Sequence, residues 1–190
     1  TKKQNENEPP ASSEQSTQTN LEKEKTNNGE LLLDATVAPQ DIHYPTDLDV
    51  LNDTREKLET IIEIACKATG AMLPRRYKVN ARRDYLSIAK KKKRTKKEIR
   101  RAIGKQLRYV RRNLKHVDRV LCEHQNLHGI LTRHELKYLQ VTRTLYEQQK
   151  EMFDAKTHTV SDRIVSIHQP HVRPIVRGKA KADVEFGAKI

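Results

Sequence analysis

The sequence predicts an α+β protein in which short strand-like segments lie on either side of a long helical region. Near the start, an apolar run at residues 31–33 leads into a segment that closes at Pro39. Between residues 48 and 153, apolar residues recur at helical spacing, and after His158 the pattern changes to short β-like runs. Helices and strands in separate blocks of sequence are typical of the α+β class.

The first strand is preceded by a polar segment, residues 1–29. Its only apolar residues are Ala11 and Leu21. Such a segment buries too little apolar surface to offset the entropy lost on ordering, which predicts a disordered linker. A linker at the start of the sequence also suggests that a domain precedes it.

Asp34 directly follows the apolar run of the first strand. A buried ionised carboxylate is unfavourable unless it is paired or binds a metal ion. One interpretation is a metal ligand at the rim of a sheet. The other is a polar residue at a strand end that forms local hydrogen bonds, as aspartate commonly does. The spacing of residues leaves both open.

Three helices follow the first strand. Thr46 is the expected N-cap of the first and Gly70 its expected C-cap. The second is predicted from about Ala81 to about Glu123. A capping box formed by Thr132 and Glu135 starts the third, which should run to about Lys156. The second helix carries apolar residues at alternating spacings of four and three, typical of a coiled coil: Ile103, Leu107, Val110, Leu114, Val117 and Leu121. Residues 80–157 are therefore predicted to form a long antiparallel helical hairpin.

Three β-like runs are predicted after the helices. They are Ile164–Ile167, Val172–Val176 and Val184–Ile190. Because the sequence ends inside the third run, we expect the fold to be incomplete on that side.

The charge is unevenly distributed along the chain. Residues 1–50 hold four Lys or Arg and ten Asp or Glu, whereas residues 75–120 hold twenty Lys or Arg and three Asp or Glu. The second block, at about +17, predicts a polyanionic partner, with nucleic acid as the usual choice and acidic lipid as the rival. No window approaches the roughly 18 apolar residues of a membrane span, so we expect no membrane partner. Two cysteines form no disulfide framework, which favours a reducing cytoplasm.

The cations around Lys90–Arg101 surround the predicted helix, which is compatible either with a solvated surface or with phosphate contacts. Tyrosines are sparse in this region, so contact with the backbone of duplex DNA is favoured over base stacking. The candidate DNA-binding residues are Lys90, Lys91, Lys92, Lys93, Arg94, Lys96, Lys97, Arg100, Arg101, Lys105, Arg108, Arg111, Arg112, Arg173, Arg177 and Lys179.

Two blocks of the sequence resemble a known family. They are LLLDATVAPQDIHYPTDLDVLNDTRE, residues 31–56, and RIVSIHQPHVRPIVRGKAKADVEFGAKI, residues 163–190. Both are similar to the catalytic domain of DDE-type transposases of bacterial insertion sequences, and they flank a Lys/Arg-rich helical region as in that family.

The resemblance implies that residues 30–190 are the N-terminal part of a catalytic domain with a partial RNase H-like mixed sheet. In that family three acidic residues hold two Mg²⁺ or Mn²⁺ ions, and Asp34 occupies the position of the first, as a catalytic and metal-binding residue. The other two acids follow the last block and are not in this sequence. The resemblance therefore implies an inactive fragment of a nucleoid-associated transposase that binds insertion-sequence ends.

Two further hypotheses stay open. The chain could be a non-catalytic basic helical module that binds nucleic acid. Alternatively, the coiled-coil stripe could serve as the seam of a homodimer.

Overall fold

The first helix of the structure, α1, spans Asp47–Thr69 and begins and ends where the sequence predicted. The hydroxyl of Thr46 accepts a hydrogen bond from the backbone N–H of Asp49 at 3.2 Å. Gly70 has φ +69°, the left-handed conformation that glycine adopts at little cost. The computed structural model describes residues 37–39, 45–123, 127–179 and 182–189. The predicted linker 1–29 and the run Leu31–Asp34 lie outside the described residues.

The predicted second helix is two helices, so the prediction of one continuous element was wrong. Helix α2 spans Lys78–Ala89 and α3 spans Lys96–Cys122. The break falls on five consecutive cations, residues 90–94, whose mutual repulsion disfavours one continuous helix. A capping box then starts α3. Thr95 Oγ1 accepts a hydrogen bond from the N–H of Glu98 at 3.2 Å, and Glu98 Oε2 accepts one from the N–H of Thr95 at 2.9 Å.

A short helix, α4, at Leu127–Ile130, leads to α5 at Arg133–Ala155. The capping box predicted at its start is confirmed: Thr132 and Glu135 exchange hydrogen bonds of 2.7 and 3.3 Å. Helices α3 and α5 run antiparallel, since Arg100 lies over the Phe153 ring near one end while Asp118 pairs with Arg143 near the other. The helical hairpin therefore exists, although α1 and α2 also pack against α3.

The predicted apolar stripe of α3 lies inside the core. All six of its residues are buried, and Val110 and Val117 are fully so. They pack with Leu51, Leu58 and other apolar residues of α1 and α5. The stripe is therefore occupied within one chain, which contradicts its interpretation as the seam of a homodimer.

The apolar run Ile164–Ile167 is buried but is not a strand, so that prediction was wrong. The backbone N–H of Ile164 donates to the side-chain Oε1 of Gln148 in α5, at 2.9 Å, instead of to a neighbouring strand. An apolar run of this length can be buried against helices as well as in a sheet, and sequence periodicity does not separate the two.

The three described strands form an antiparallel sheet in the order β1-β3-β2. They are β1, Val37–Pro39; β2, Arg173–Lys179; and β3, Ala182–Lys189. Val37 lies opposite Lys189, and Arg173 lies opposite Gly187. A mixed sheet was predicted, but both described pairs are antiparallel. For β2 and β3 the very short connection requires this direction. The described part of the chain is thus α+β, and it contains no helix that is long and apolar enough to cross a membrane.

Candidate nucleic-acid interface

Helix α3 exposes a continuous row of cationic side chains, which we call the basic ridge. Its members are exposed and form no ion pair with another described residue. At about 100° per residue they share an arc of about 80°. They are Lys97, Arg101, Arg108, Arg111, Lys115 and Arg119.

The basic ridge lies on one side of α3 because the other sides are occupied. The apolar stripe faces the core, Gln106 donates to the carbonyl of Ala81 in α2 at 3.0 Å, and Asp118 pairs with Arg143 of α5. Sequence analysis placed the charges all around the helix. The helices packed against α3 instead leave six of the exposed cations in one row, with Lys96 and Arg100 exposed outside it.

Residues 75–120 contain three acidic residues, Asp84, Glu98 and Asp118, and each forms an ion pair with a nearby cation. Asp84 accepts from Lys105 Nζ at 3.1 Å and from Tyr109 Oη at 3.0 Å. Glu98 is bound by Lys91 and by Thr95, and these bonds lower the pKa of its carboxyl to about 2. Each acid is thereby compensated near its own position, and no carboxylate interrupts the basic ridge.

Four of the predicted DNA-binding cations are held by the protein itself. Lys91 pairs with Glu98, and Lys105 with Asp84. Arg112 is half-buried, and its Nη2 donates to the carbonyl of Arg76 at 3.2 Å. Arg173 binds both carboxylate oxygens of Asp162 and so lowers the pKa of that carboxyl. These four side chains are less free to reach a phosphate than the ridge residues.

The other predicted cations that the structure describes are exposed. Arg100 lies over the Phe153 ring at 4.1 Å, and Arg94 Nε donates to the carbonyl of Lys91 at 3.0 Å. A further group shows no ion pair within the described part of the chain: Lys90, Lys92, Lys93 and Lys96. The backbone of Arg177 and Lys179 lies in β2, but their side chains are outside what the structure describes.

Sequence analysis missed two members of the basic ridge, Lys115 and Arg119. The signal was present, because Arg101, Arg108, Lys115 and Arg119 follow one another at spacings of seven, seven and four. Those intervals place residues on one helix face. The candidate list had stopped at Arg112 on this helix.

His116 lies beside the ridge and is half-buried, with no hydrogen-bond partner for either ring nitrogen among the described residues. Burial, together with the neighbouring charges of Arg119 and Arg112, lowers its pKa. It is therefore neutral at pH 7 and does not contribute to the cationic surface.

Asp34, the predicted catalytic and metal-binding residue, lies outside the described residues. Within the described ranges, no three His, Cys, Asp or Glu side chains come together in a way that could hold a metal ion. The Mg²⁺ or Mn²⁺ site implied by the resemblance therefore depends on Asp34 and on residues that the structure does not describe.

No family model, curated protein or solved structure matches this chain. The resemblance to DDE-type transposases thus rests on the two sequence blocks alone, and the argument for function rests on the basic ridge.

Proposed function

We propose that this chain binds double-stranded DNA through the basic ridge, as the DNA-binding part of a protein that resembles a DDE-type transposase. The observation that carries this proposal is the alignment of six exposed cations along one side of α3. Phosphate contacts supply most of the affinity in sequence-independent DNA binding.

The length of the basic ridge suits a duplex. From Lys97 to Arg119 it spans about 33 Å along the axis of α3, at about 1.5 Å per residue. One turn of B-DNA is about 34 Å long. A rigid row of cations of that length can contact phosphates over most of one turn, and the four arginines in it can each bind a phosphate through two N–H groups.

Single-stranded nucleic acid is a weaker fit to the ridge. Single-strand platforms use aromatic side chains on which bases stack. The six ridge residues include none, and Tyr109 is directed instead to Asp84 through a hydrogen bond of 3.0 Å. Contact through charge alone favours a backbone with closely spaced phosphates, which duplex DNA offers.

The catalytic part of the proposal depends on Asp34 and on the two sequence blocks that flank the helices. In any form of the protein that cleaves a DNA end, Asp34→Ala should abolish cleavage and leave DNA affinity unchanged. Full cleavage by that variant would contradict the assignment of Asp34. The alternative, a non-catalytic DNA-binding module, is favoured if no form that contains residues 30–190 cleaves DNA.

The DNA-binding proposal is tested by the salt dependence of affinity. We compare the triple variant Lys97→Gln, Arg108→Gln, Lys115→Gln with a control triple variant, Lys67→Gln, Arg133→Gln, Lys137→Gln, whose residues are also exposed, on α1 and α5. Both lose the same charge. The ridge variant should lessen the slope of log K against log salt by about 2.7, at about 0.9 per phosphate contact, and the control should change it little.

Fluorescence anisotropy with a labelled duplex at several salt concentrations measures both slopes. Equal slopes for the two triple variants would show that net charge, not the ridge, drives binding. An affinity that does not depend on salt would overturn the proposal itself.

A further inference from the structure

The connection between α1 and α2 displays a cluster of exposed apolar side chains. Among the described residues, six large hydrophobic side chains are exposed, and four of them lie between positions 72 and 79. We call these four the apolar loop patch: Met72, Leu73, Tyr77 and Val79. Met72 is 92% exposed, so its side chain makes almost no contact with the rest of the protein.

The backbone that carries this patch is anchored at both ends. On one side, the N–H of Ala71 donates to Thr69 Oγ1 at 3.3 Å. On the other, Arg76 Nη1 donates to the carbonyl of Glu59 at 3.2 Å, and the Arg76 carbonyl accepts from Arg112. The Met72 side chain is therefore exposed to solvent on a loop whose two ends are fixed by hydrogen bonds.

Tyr77 shows a second sign of a constrained loop. Its φ is +57°, a left-handed conformation that is unfavourable for a residue with a Cβ. The guanidinium groups of Arg75 and Arg112 lie 4.5 and 4.3 Å from the centre of its ring. Strained backbone that the surroundings hold in place is found most often at functional sites.

Three exposed cations flank the patch. Arg75 forms no ion pair with a described residue, whereas Lys78 and Arg82, 61% and 59% exposed, pair with Glu63 at 3.8 Å and with Glu56 at 2.9 Å. Arg112 connects the patch to α3, since its guanidinium contacts both the Tyr77 ring and the carbonyl of Arg76. The patch thus adjoins the helix that carries the basic ridge.

We propose that Met72 and Leu73 act as an apolar wedge that enters between neighbouring base pairs of the bound duplex and kinks it. This inference rests on the proposed binding of duplex DNA. Proteins that bend DNA insert Met, Leu, Ile, Phe or Pro side chains between base steps, with cations on the adjoining phosphates. Met72, Leu73 and Pro74, followed by Arg75, have that composition.

The test uses the full chain and two duplexes of equal length, one fully matched and one with a central mismatch. Both carry a fluorophore pair at their ends to report bending. The wedge variant is Met72→Ser with Leu73→Ser, and the control is Val176→Ser, which removes another exposed apolar side chain, on β2. All three side chains are exposed apolar residues, so stability should be little affected.

The wild-type chain should bend the matched duplex by roughly 20–90° and bind the mismatched duplex about tenfold more tightly, because a mismatched step is easier to unstack. The wedge variant should lose the bend and the mismatch preference but keep the salt slope. The control should behave as the wild type.

Each other outcome overturns the wedge. If the wild type binds the duplex without bending it, or if the wedge variant bends it as the wild type does, the wedge proposal is wrong. The DNA-binding proposal is unaffected by either result. Absence of salt-dependent binding removes both. Vesicles of phosphatidylserine and phosphatidylcholine serve as a further arm: binding to them that requires Met72, with DNA bending unaffected, would assign the patch to an anionic membrane surface instead.

Discussion

The ion pair between Arg55 and Glu59 lies in the interior of the helical region. Their side chains are only 1% and 2% exposed, and Arg55 Nη1 lies 2.6 Å from Glu59 Oε1. Arg55 Nη2 also donates to Asn52 Oδ1 at 2.7 Å and to Glu56 Oε1 at 3.0 Å. Removing Glu59 leaves a buried guanidinium whose remaining ionic partner among the described residues, Glu56, is partly in solvent.

We expect Glu59→Ala to lower the free energy of unfolding by about 3 kcal/mol. Breaking a buried pair typically costs about 3–5 kcal/mol, and the contacts of Arg55 with Glu56 and Asn52 favour the lower end of that range. Replacing both partners, as Arg55→Met with Glu59→Met, should return stability to within about 1 kcal/mol of the wild type, since it leaves no buried charge without a partner.

Urea unfolding, followed by circular dichroism, measures both free energies. Arg55→Met and Glu59→Met, measured singly and together, form a double-mutant cycle, which gives the coupling between the side chains. A cost below about 0.5 kcal/mol for Glu59→Ala, the level of an ordinary surface substitution, would refute this reasoning. It would mean that water reaches the guanidinium and that the pair is not buried in solution.

Two smaller predictions concern α3. Thr95→Ala removes the N-cap of this helix and should cost about 1 kcal/mol, whereas Thr60→Ala, at an exposed position within α1, should cost less; urea unfolding compares them. The lowered pKa of His116 has a defined sign: the unfolded chain takes up the proton first, so stability should fall as the pH drops below about 6.5. His116→Gln should show a smaller decrease in the urea midpoint between pH 7.5 and 5.5, and an unchanged decrease would contradict the assignment.

The helix ends and the core could be predicted because their signals are local. Thr46, Gly70 and the Thr132–Glu135 box act within one turn of their own helix, and the stripe of α3 shows its spacing in the sequence. The break at residues 90–94 also has a local signal in the sequence: a second capping box, Thr95 to Glu98, marks the start of a new helix.

What the sequence could not supply is the identity of partners distant in the chain. The pairs Lys105 with Asp84 and Arg173 with Asp162 remove two predicted DNA contacts from the free surface. Counting charges along the sequence does not reveal either of these ion pairs. The buried run Ile164–Ile167 looked like a strand because burial against α5 and burial in a sheet leave the same apolar pattern. Asp34 was found through resemblance alone, and its role stays a prediction.

The packing of the α3 stripe within one chain leads to a last prediction, on Val110. This side chain is fully buried in the core. Val110→Ala removes two methyl groups and should cost about 2 kcal/mol, at about 0.8 kcal/mol for each buried carbon plus a term for the cavity. Val79→Ala on α2, where the side chain is 79% exposed, is the matched control and should cost little.

The same pair of variants separates an internal core from a dimer seam. If the stripe packs within one chain, the urea midpoints of the wild type and of Val110→Ala should not depend on protein concentration. In an obligate dimer, stability is inseparable from protomer concentration. Midpoints that rise over about a hundredfold range of concentration, in the wild type more than in Val110→Ala, would return the stripe to an interface between chains.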